Sequence, residues 1–359
     1  MSQRAYVSRM IDTPAYAAFD SKSPLKPHTI QRREPGPNDV SLEILFSGVC
    51  HSDVHQARGE WGASKFPMVP GHEIVGRVDK IGANVRKFAV GDLAGVGCMV
   101  DACRTCTSCD RGLEQYCEDG TTWTYNSFER DGKTPTYGGY STRIVVDERF
   151  ALKVDPLQPP SGVAPLLCAG VTMYSPLKTW NVERGQRVAI VGFGGLGHMG
   201  VKLASAMGAE VTVFSASPEK KADALKFGAS DVVSSRDDKA LAKLEKRFDL
   251  ILDTVSSQHD LSAFLRLAKL DGTLVMLGVP EKPLAVPAFG LIGARRRFAG
   301  SLIGGIAETQ EMLDFCAERG IAAEAEVIPM RDINVAYERM LRSDVRYRFV
   351  IDVSSLGGS

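Results

Sequence analysis

The feature that most constrains this chain is a short apolar run that ends in a cluster of glycines. Residues 192–197 read Gly-Phe-Gly-Gly-Leu-Gly, and the preceding residues 187–191 are apolar or β-branched after an initial arginine. The run predicts a buried strand, and the helix-permissive residues after the glycines predict that a helix follows at once. In such a unit Gly192 permits the turn, Gly194 lets a pyrophosphate approach the backbone, and Gly197 lets the helix pack on the strand.

This strand–turn–helix pattern predicts a dinucleotide site, because the free amides and the dipole at the start of a helix attract phosphates. Glycines also cluster in ordinary turns, so the spacing alone would be a weak signal. The strand before it and the helix after it favour the dinucleotide site. The residues expected to contact the cofactor in the turn are Gly192, Gly194, Gly195, Leu196 and Gly197.

The pattern of hydrophobic residues changes along the chain. Residues before about 155 predict a β-rich domain with short strands, and the prolines between Asp155 and Pro160 mark a boundary. Beyond the boundary, strand-like runs alternate with helical stretches, which is typical of a parallel α/β sheet. The predicted strands are 40–46, 73–81, 141–146, 188–191, 211–214, 231–233, 250–252 and 273–277, with a further one near Phe298–Leu302.

The C-terminal segment predicts a helix over 308–319, another over 333–342 and a strand over 347–353. This segment is too short to fold alone, so we expect it to complete the first domain. The expected domains are therefore residues 1–157 with 303–359, and residues 158–302, in an α/β chain.

Composition excludes several classes of function. The 359 residues contain 43 Lys plus Arg and 43 Asp plus Glu, so no net charge favours nucleic acid, a membrane surface or an acidic partner. The N-terminal residues Met1–Tyr6 begin no apolar signal region, and no apolar run is long enough to span a membrane. These observations predict a cytoplasmic enzyme.

Four of the eight cysteines lie close together, at Cys103, Cys106, Cys109 and Cys117. In a chain of cytosolic character, clustered cysteines are more typical of metal ligands than of disulfides. Four thiolates can hold a tetrahedral zinc ion with no open position, which is the structural kind of site. The alternative is a loop that is merely rich in reduced thiols, but the C-x2-C-x2-C-x7-C spacing favours zinc.

A second candidate metal group is dispersed along the sequence and consists of Cys50, His72, Glu73 and Cys168. Catalytic zinc sites use three protein ligands and leave a fourth position for water or substrate. Each residue also has an ordinary structural explanation, since a cysteine in an apolar run such as that around Cys168 is usually a small buried side chain. Spacing alone leaves both explanations open.

Several motifs resemble those of the zinc-dependent medium-chain alcohol dehydrogenases. Residues 71–76 (Gly-His-Glu-Ile-Val-Gly), followed by Gly82 and Val85, are similar to the zinc signature of that family. The cysteine cluster, the segment 164–172 and the glycine turn follow in the order found in the family. The segments 123–126, 138–140 and 344–349 resemble those of the cinnamyl alcohol dehydrogenase branch, which includes bacterial NADP-dependent aldehyde reductases.

The resemblance implies a GroES-like β-rich catalytic domain, built from both ends of the chain, and a Rossmann domain with a doubly wound parallel sheet. It also implies a homodimer formed through the edge strand near Phe298–Leu302. The implied ligands of a catalytic zinc ion are Cys50, His72 and Cys168.

The resemblance assigns further roles to residues that flank the zinc ligands. Glu73 matches a carboxylate that lies near the metal or approaches it in a resting state, and Asp53 matches the acid that orients the ligand histidine. Ser52 and His55 match a proton relay, since a hydroxyl both donates and accepts and a histidine titrates near neutral pH. The alternatives are a turn residue for Ser52 and a solvated helix face for His55.

The implied chemistry is hydride transfer between a substrate carbon and a nicotinamide, with zinc as the Lewis acid. Thr172 matches a residue that packs near the nicotinamide, and His51 is expected near the pyrophosphate.

The end of the second strand of the α/β region indicates which dinucleotide binds. In NAD-binding folds an acidic residue at this point holds the ribose 2′-OH. Here Ser215 follows the strand, and no acidic residue occurs before Glu219. A carboxylate would repel a 2′-phosphate, so its absence predicts NADP(H), with Ser217 and Lys220 as donors. Ser215 and Lys220 also match the NADP-selecting positions of the branch; the alternative is that the lysine merely begins a solvated helix.

The residues that lie near the substrate-pocket positions of the family are Trp61, Trp123, Leu302, Cys98 and Phe289. For Cys98 and Phe289, burial in the core is the stronger expectation. Because Leu302 is smaller than the phenylalanine of the plant lignin enzymes, we expect broad reduction of aromatic and medium-chain aliphatic aldehydes. Two zinc ions per chain are expected. The alternatives are a zinc-dependent polyol or secondary-alcohol dehydrogenase, and a non-enzymatic cofactor-binding protein, which would be expected to lack some ligand or relay residues.

Overall fold

The computed structural model describes residues 10–62 and 64–356, and the N-terminal segment Met1–Tyr6 lies outside them. The strands are β1 (Met10–Ala17), β2 (Lys26–Arg33), β3 (Asp39–Val49), β4 (Ile74–Ile81), β5 (Leu93–Val96), β6 (Met99–Asp101), β7 (Thr122–Trp123), β8 (Arg143–Asp147), β9 (Leu152–Lys153), β10 (Arg187–Val191), β11 (Glu210–Ser215), β12 (Asp231–Ser234), β13 (Phe248–Asp253), β14 (Ala268–Met276), β15 (Arg297–Gly300), β16 (Ala325–Pro329) and β17 (Arg348–Asp352).

The α-helices are α1 (His51–Ala57), α2 (Thr107–Asp110), α3 (Pro160–Val163), α4 (Ala169–Thr179), α5 (Gly197–Ala206), α6 (Lys221–Lys226), α7 (Asp238–Lys243), α8 (Leu261–Leu265), α9 (Ala288–Ile292), α10 (Ile306–Glu318) and α11 (Ile333–Leu341). Short 3-10 turns occur at Glu114–Tyr116, Glu148–Phe150, Ala164–Leu167, Pro218–Lys220, Met330–Asp332 and Val353–Leu356.

The chain forms two compact units. The first contains the residues up to Cys168 and those from Gly305 onward, and the second is Ala169–Gly304. The boundary between the first and second units lies after Cys168, later in the chain than the boundary expected at residue 157. The physical reason is that α3 and the 3-10 turn Ala164–Leu167 pack on β3 and β4 of the first unit.

The first unit is built around a mixed sheet with the strand order β16-β17-β3-β4-β5-β9, and β8 also pairs with β3. The predicted strands at 40–46, 73–81 and 141–146 are confirmed as β3, β4 and β8. β17 runs antiparallel to β3 and places Phe349 opposite Val49. The C-terminal segment therefore contributes a strand beside the one that leads into Cys50.

The second unit contains a six-stranded parallel sheet with the order β12-β11-β10-β13-β14-β15. Every strand predicted for this region is confirmed. The buried core beside the sheet includes Phe214, whose ring meets Phe248 and Phe264 edge to face. The strand order reverses between β10 and β13, which is where ligands bind in doubly wound sheets.

Phe289 does not lie in the core, so that expectation is wrong. It is 85% exposed on α9, a five-residue helix with no buried side chain. An apolar side chain alone does not reveal whether a short helix faces inward. In the described part of the chain, no helix has both the length and the apolar character needed to cross a membrane.

Candidate active site and metal centres

The adjacent ends of β3 and β4 bring together residues that are distant in the sequence. Cys50 directly follows β3, while His72 and Glu73 directly precede β4. Cys168 follows the 3-10 turn Ala164–Leu167 and completes the group. The four buried side chains each place a ligand atom within 4.8 Å of the others. Two thiols and an imidazole are a donor set that suits zinc, and a carboxylate can add an oxygen.

Glu73 occupies space that only a glycine on the neighbouring strand leaves open. A Cβ atom on Gly48 would lie 1.9 Å from Glu73 Oε2. The other carboxylate oxygen, Oε1, accepts a hydrogen bond from Arg348 of β17. Oε2 is buried and has no hydrogen-bond partner among the described residues. Burial raises the pKa of Glu73 to about 7, although the Arg348 charge opposes this shift.

A cation bound among these metal-ligating side chains would give Glu73 Oε2 the partner that it lacks among the described residues. The donor chemistry and this oxygen therefore both fit a zinc ion at the four residues.

Asp53, in the first turn of α1, fixes the orientation of His72. Its Oδ1 accepts hydrogen bonds from Gly71 N (3.1 Å) and His72 Nδ1 (3.0 Å), and its Oδ2 accepts from Cys50 N (2.9 Å). Burial disfavours the charged imidazole, but Asp53 raises the pKa of His72 well above its usual value. In the neutral ring, which is the form that binds a metal, donation from Nδ1 to Asp53 leaves the lone pair on Nε2 free for the metal.

The two thiols of this group differ in acidity. A hydrogen bond from Cys168 holds the pKa of Cys50 well below its usual range, and the pKa of Cys168 is raised by its contacts with Cys50 and Cys98. Cys98 is only partly buried, and its Sγ lies 3.8 Å from Leu167 O. Cys98 is therefore a neighbour of the metal group and not the core residue expected from the sequence.

The relay residues lie along α1. Ser52 Oγ is 3.6 Å from Cys50 Sγ. The His55 ring stacks on Trp61 at 4.8 Å between ring centroids, and its Nδ1 pairs with Glu60. The side chain of His55 is therefore held between an aromatic ring and a carboxylate, unlike a freely solvated helix face.

Two of the remaining candidates of the first unit also lie on or near these elements. His51 begins α1, with its ring 6.3 Å from that of His55. Trp123 is partly buried in β7 and lies opposite Met99 of β6.

The four clustered cysteines also converge, with their sulfur atoms within 4.8 Å of one another. Backbone N–H groups donate to three of the sulfurs: Cys103 N to Cys117 (3.3 Å), Cys106 N to Cys103 (3.3 Å) and Glu118 N to Cys106 (3.4 Å). Backbone hydrogen bonds, that of Thr105 first, lower the pKa of Cys103 to about 6. Burial instead raises the pKa of Cys109 to about 12 and raises that of Cys117, so in the absence of a metal the loop favours a thiolate at Cys103. A bound zinc ion would be needed to hold all four sulfurs as thiolates.

The glycine turn joins β10 to α5 as expected. Gly192 has a φ of 91°, and a Cβ on Gly197 would lie 2.1 Å from Gly192 O. A Cβ on Gly194 would meet no atom of the described residues within 4 Å. The fold thus requires glycine at positions 192 and 197. Gly194 leaves open space beside the backbone, which fits the binding of a pyrophosphate.

The positions proposed to select the dinucleotide lie at the end of β11. Ser215 ends the strand, and its Oγ accepts a hydrogen bond from Ser217 N at 3.1 Å. Lys220 is only 8% exposed, so it does not simply begin a solvated helix. Thr172 is buried in α4, and Leu302 is 45% exposed just after β15.

Arg348 and Glu60 are site residues that no sequence motif identified as such. Arg348 could have been found from its position at the start of an apolar strand, because an arginine buried there requires an acidic partner. For Glu60, five residues after His55, no sequence signal distinguishes it from a surface carboxylate.

Known protein families match both parts of the chain. The alcohol dehydrogenase GroES-like domain matches residues 36–156, and the zinc-binding dehydrogenase family matches residues 195–318. NADP-dependent alcohol dehydrogenase C of Mycobacterium bovis is 56% identical over 347 residues, which cover 97% of this chain and 100% of that protein. Aldehyde reductase YahK of Escherichia coli is 55% identical over 344 residues, which cover 95% of this chain and 98% of that protein.

The fold is also similar to solved structures. A cinnamyl alcohol dehydrogenase of Sorghum bicolor superimposes with a TM-score of 0.93 at 44% identity, covering 96% of this chain and 98% of that chain. The expected pairing of a GroES-like domain with a Rossmann domain is confirmed. The chain belongs to the zinc-dependent medium-chain alcohol dehydrogenases, and it is an oxidoreductase of the branch that includes the cinnamyl alcohol dehydrogenases.

Proposed function

We propose that this protein interconverts primary alcohols and aldehydes by hydride transfer with NADP(H), and that aldehyde reduction is the favoured direction. The observation that carries the proposal is the convergence of Cys50, His72 and Cys168, with Glu73 beside them, in one buried group. The names of the Mycobacterium bovis and Escherichia coli relatives support the cofactor and the substrate class respectively.

Cys50, His72 and Cys168 would hold the catalytic zinc, with Glu73 as a neighbouring carboxylate. When bound, zinc supplies a Lewis acid for the substrate oxygen, and NADP(H) supplies or accepts the hydride. Asp53 holds the His72 ring in one tautomer through its contact with Nδ1.

Ser52 and His55 would carry the proton between the site and solvent. Ser52 lies beside Cys50, and its hydroxyl can accept and donate a proton at Oγ. His55 is one-fifth exposed at its side chain, so a proton at the ring can reach water. Its stacking on Trp61 and its contact with Glu60 hold the ring in place.

The second unit would bind the dinucleotide at the carboxyl ends of β10 and β11. Gly194 leaves room for the pyrophosphate, and the end of β11 carries Ser215 where an NAD-binding fold has a carboxylate. Lys220 would add positive charge for a 2′-phosphate. The other residues proposed to contact the cofactor are Gly192, Gly195, Leu196, Gly197, Ser217, Thr172 and His51.

The cysteine loop would hold a second, structural zinc ion through Cys103, Cys106, Cys109 and Cys117. Backbone N–H groups donate to three of these sulfurs, and four thiolates on zinc would brace the loop without an open coordination position. We place Trp61, Trp123 and Leu302 in the substrate pocket, where apolar and aromatic surface would favour aromatic and medium-chain aliphatic aldehydes.

A homodimer would form along β15. This strand is at the edge of the six-stranded sheet, and Phe298 on it is 39% exposed. Phe289 and Ile292 of α9 are exposed as well. An unpaired strand edge near exposed apolar side chains supports pairing with a second copy. None of the eight cysteines, all of which lie among the described residues, forms a disulfide, which supports a reducing compartment such as the cytoplasm.

The proposal is tested by initial rates of cinnamaldehyde and medium-chain aldehyde reduction, with NADPH and NADH in parallel and zinc counted in the same preparation. Two zinc ions per chain and a strong preference for NADPH are expected. Equal rates with NADH would contradict the assignment of Ser215 and Lys220. A zinc-loaded protein that reduces neither aldehyde but oxidises polyols or secondary alcohols would overturn the substrate class.

A further inference from the structure

The loop that follows β13 is hydrogen-bonded to the end of β10 and packs on the glycine turn. Thr254 donates hydrogen bonds from its backbone N (2.9 Å) and its Oγ1 (2.8 Å) to Val191 O, at the end of β10. A Cβ on Gly192 would lie 2.6 Å from Thr254 Oγ1 and 3.2 Å from a methyl group of Val255. Because the strand order reverses between β10 and β13, this loop borders the crevice where dinucleotides bind in doubly wound sheets.

Asp253, the last residue of β13, holds the base of the loop. Its backbone oxygen accepts hydrogen bonds from Leu277 N (2.8 Å) and Gly278 N (3.0 Å), and its Oδ1 accepts from Val255 N (3.1 Å). The side chain is completely buried, and its remaining oxygen, Oδ2, lies 2.7 Å from His259 Nε2. Asp253 thus connects the two ends of the loop segment 253–259.

Both nitrogens of the His259 ring face oxygen atoms that can only accept. Nε2 meets the Asp253 carboxylate, and Nδ1 lies 2.9 Å from the backbone oxygen of Ser257. A neutral imidazole carries one N–H and can satisfy one of these acceptors, whereas an imidazolium donates to both. The geometry therefore favours the charged form of His259, which alone satisfies both acceptors.

The other groups that face the ring are consistent with a charged imidazole. The charged groups are Asp253 and Asp260, both acidic, and the Phe264 ring packs against His259 at 5.9 Å. The hydrogen bond to Asp253 raises the pKa of His259 above its usual value, against the opposing effect of partial burial.

We propose that His259 is a positioning residue for cofactor binding, which in its imidazolium form holds the loop 253–259 so that Thr254 and Val255 stay packed on the glycine turn. His259 acts through the loop and not by contact with the reacting atoms. The proposal rests on the proposed function, in that the glycine turn binds NADP(H).

The proposal predicts a pH dependence with a definite sign. A histidine whose pKa is higher in the folded state contributes its full stabilisation below the unfolded value of about 6.5. That contribution is lost as the pH rises through the folded pKa. The affinity for NADPH should therefore weaken on the alkaline side through loss of the second hydrogen bond of His259.

The test compares NADPH binding to the zinc-loaded wild type and to His259→Gln, by fluorescence titration at pH 6 and pH 9. Glutamine can donate to one acceptor but does not titrate. The quantity compared is the Kd of His259→Gln divided by the Kd of the wild type at the same pH. The phosphate of the cofactor titrates equally in both measurements, so its effect cancels in this ratio. We expect a ratio of about ten at pH 6, where a charge-assisted hydrogen bond is lost, and a ratio near one at pH 9.

His28→Gln is the matched control, because His28 lies in β2 of the first unit and packs on the Phe19 ring. Its Kd should equal that of the wild type at both pH values. A His259→Gln ratio that is the same at pH 6 and pH 9, or equal to one at both, would overturn the proposal.

A second readout does not require the cofactor. The chain has six histidines, and the NMR resonance that disappears in His259→Gln identifies the ring of His259. This resonance should titrate above pH 6.5 in the cofactor-free, zinc-loaded protein, and titration at or below that value would refute the imidazolium. A wild type that does not bind NADPH would overturn the proposed function, whereas tight binding that is unaffected by His259→Gln would overturn only the role of His259.

Discussion

Replacing Gly194 with alanine separates the role of the glycine turn in binding from its role in folding. A Cβ at this position meets no atom of the described residues within 4 Å, and the backbone there does not have a positive φ. Gly→Ala at a compatible position stabilises a protein by about 0.4–1 kcal/mol, because it restricts the unfolded chain. The Tm of Gly194→Ala should therefore be equal to or slightly above that of the wild type.

The same methyl group should weaken cofactor binding, because it occupies the space through which a pyrophosphate approaches the backbone. Forcing an extra methyl group into a packed contact costs about 1–3 kcal/mol. That range corresponds to an increase in the Kd of NADPH of about 5- to 160-fold. Fluorescence titration with NADPH measures the Kd, and thermal unfolding without cofactor measures the Tm.

Gly197→Ala is the matched comparison in the same turn. Its Cβ would lie 2.1 Å from Gly192 O, a backbone atom that cannot move without displacing the turn. This variant should lose Tm in the absence of cofactor, unlike Gly194→Ala. If Gly194→Ala bound NADPH as tightly as the wild type, the dinucleotide would not approach the backbone at this glycine, and the assignment of the pyrophosphate site would be wrong.

Three further variants test other parts of the site. Ser215→Asp should reduce the preference for NADPH over NADH by about a hundredfold in kcat/KM, because a carboxylate repels the 2′-phosphate and can bind a ribose hydroxyl; an unchanged preference would contradict the role of this position. Cys106→Ser should remove one zinc ion per chain, measured by metal analysis, and lower the Tm by several degrees; retention of two zinc ions would contradict the four-thiolate site. Gly48→Ala should destabilise the fold by about 3–5 kcal/mol in denaturant unfolding, because the new Cβ displaces the Glu73 carboxylate from its buried arginine partner. The control Ser47→Ala, which removes a buried hydroxyl with no partner among the described residues, should be neutral or stabilising, and equal losses in the two variants would refute the packing argument.

The sequence predicted those parts of the molecule that depend on local patterns. The strands of the parallel sheet follow from apolar runs between helical stretches, and the cysteine loop follows from close spacing. The catalytic group was different, because Cys168 is far from Cys50 in the chain and spacing alone left its role open. Only the resemblance to a family connected these residues, and the sheet then places their ligand atoms together.

Pairings between distant elements and the orientation of short helices could not be read from the sequence. The contact between Glu73 and Arg348 joins residues 275 positions apart, and it depends on β17 lying beside β3. Hydrophobic periodicity indicates which face of a strand is buried but not which strand lies next to it. The orientation of Phe289 was equally hidden in the sequence. The helix α9 has only five residues, too few for a hydrophobic pattern to define a buried face, so the apolar character of Phe289 alone led to the wrong expectation.

The central claim is that the buried group of two cysteines and one histidine binds the zinc ion used in the reaction. Anomalous diffraction at the zinc absorption edge, from crystals of the full chain grown with NADPH, tests it most directly. We expect two peaks per chain, one within coordination distance of Cys50, His72 and Cys168 and the other among the four clustered cysteines. A protein that reduces aldehydes in solution but shows no zinc peak at the first group would contradict the account.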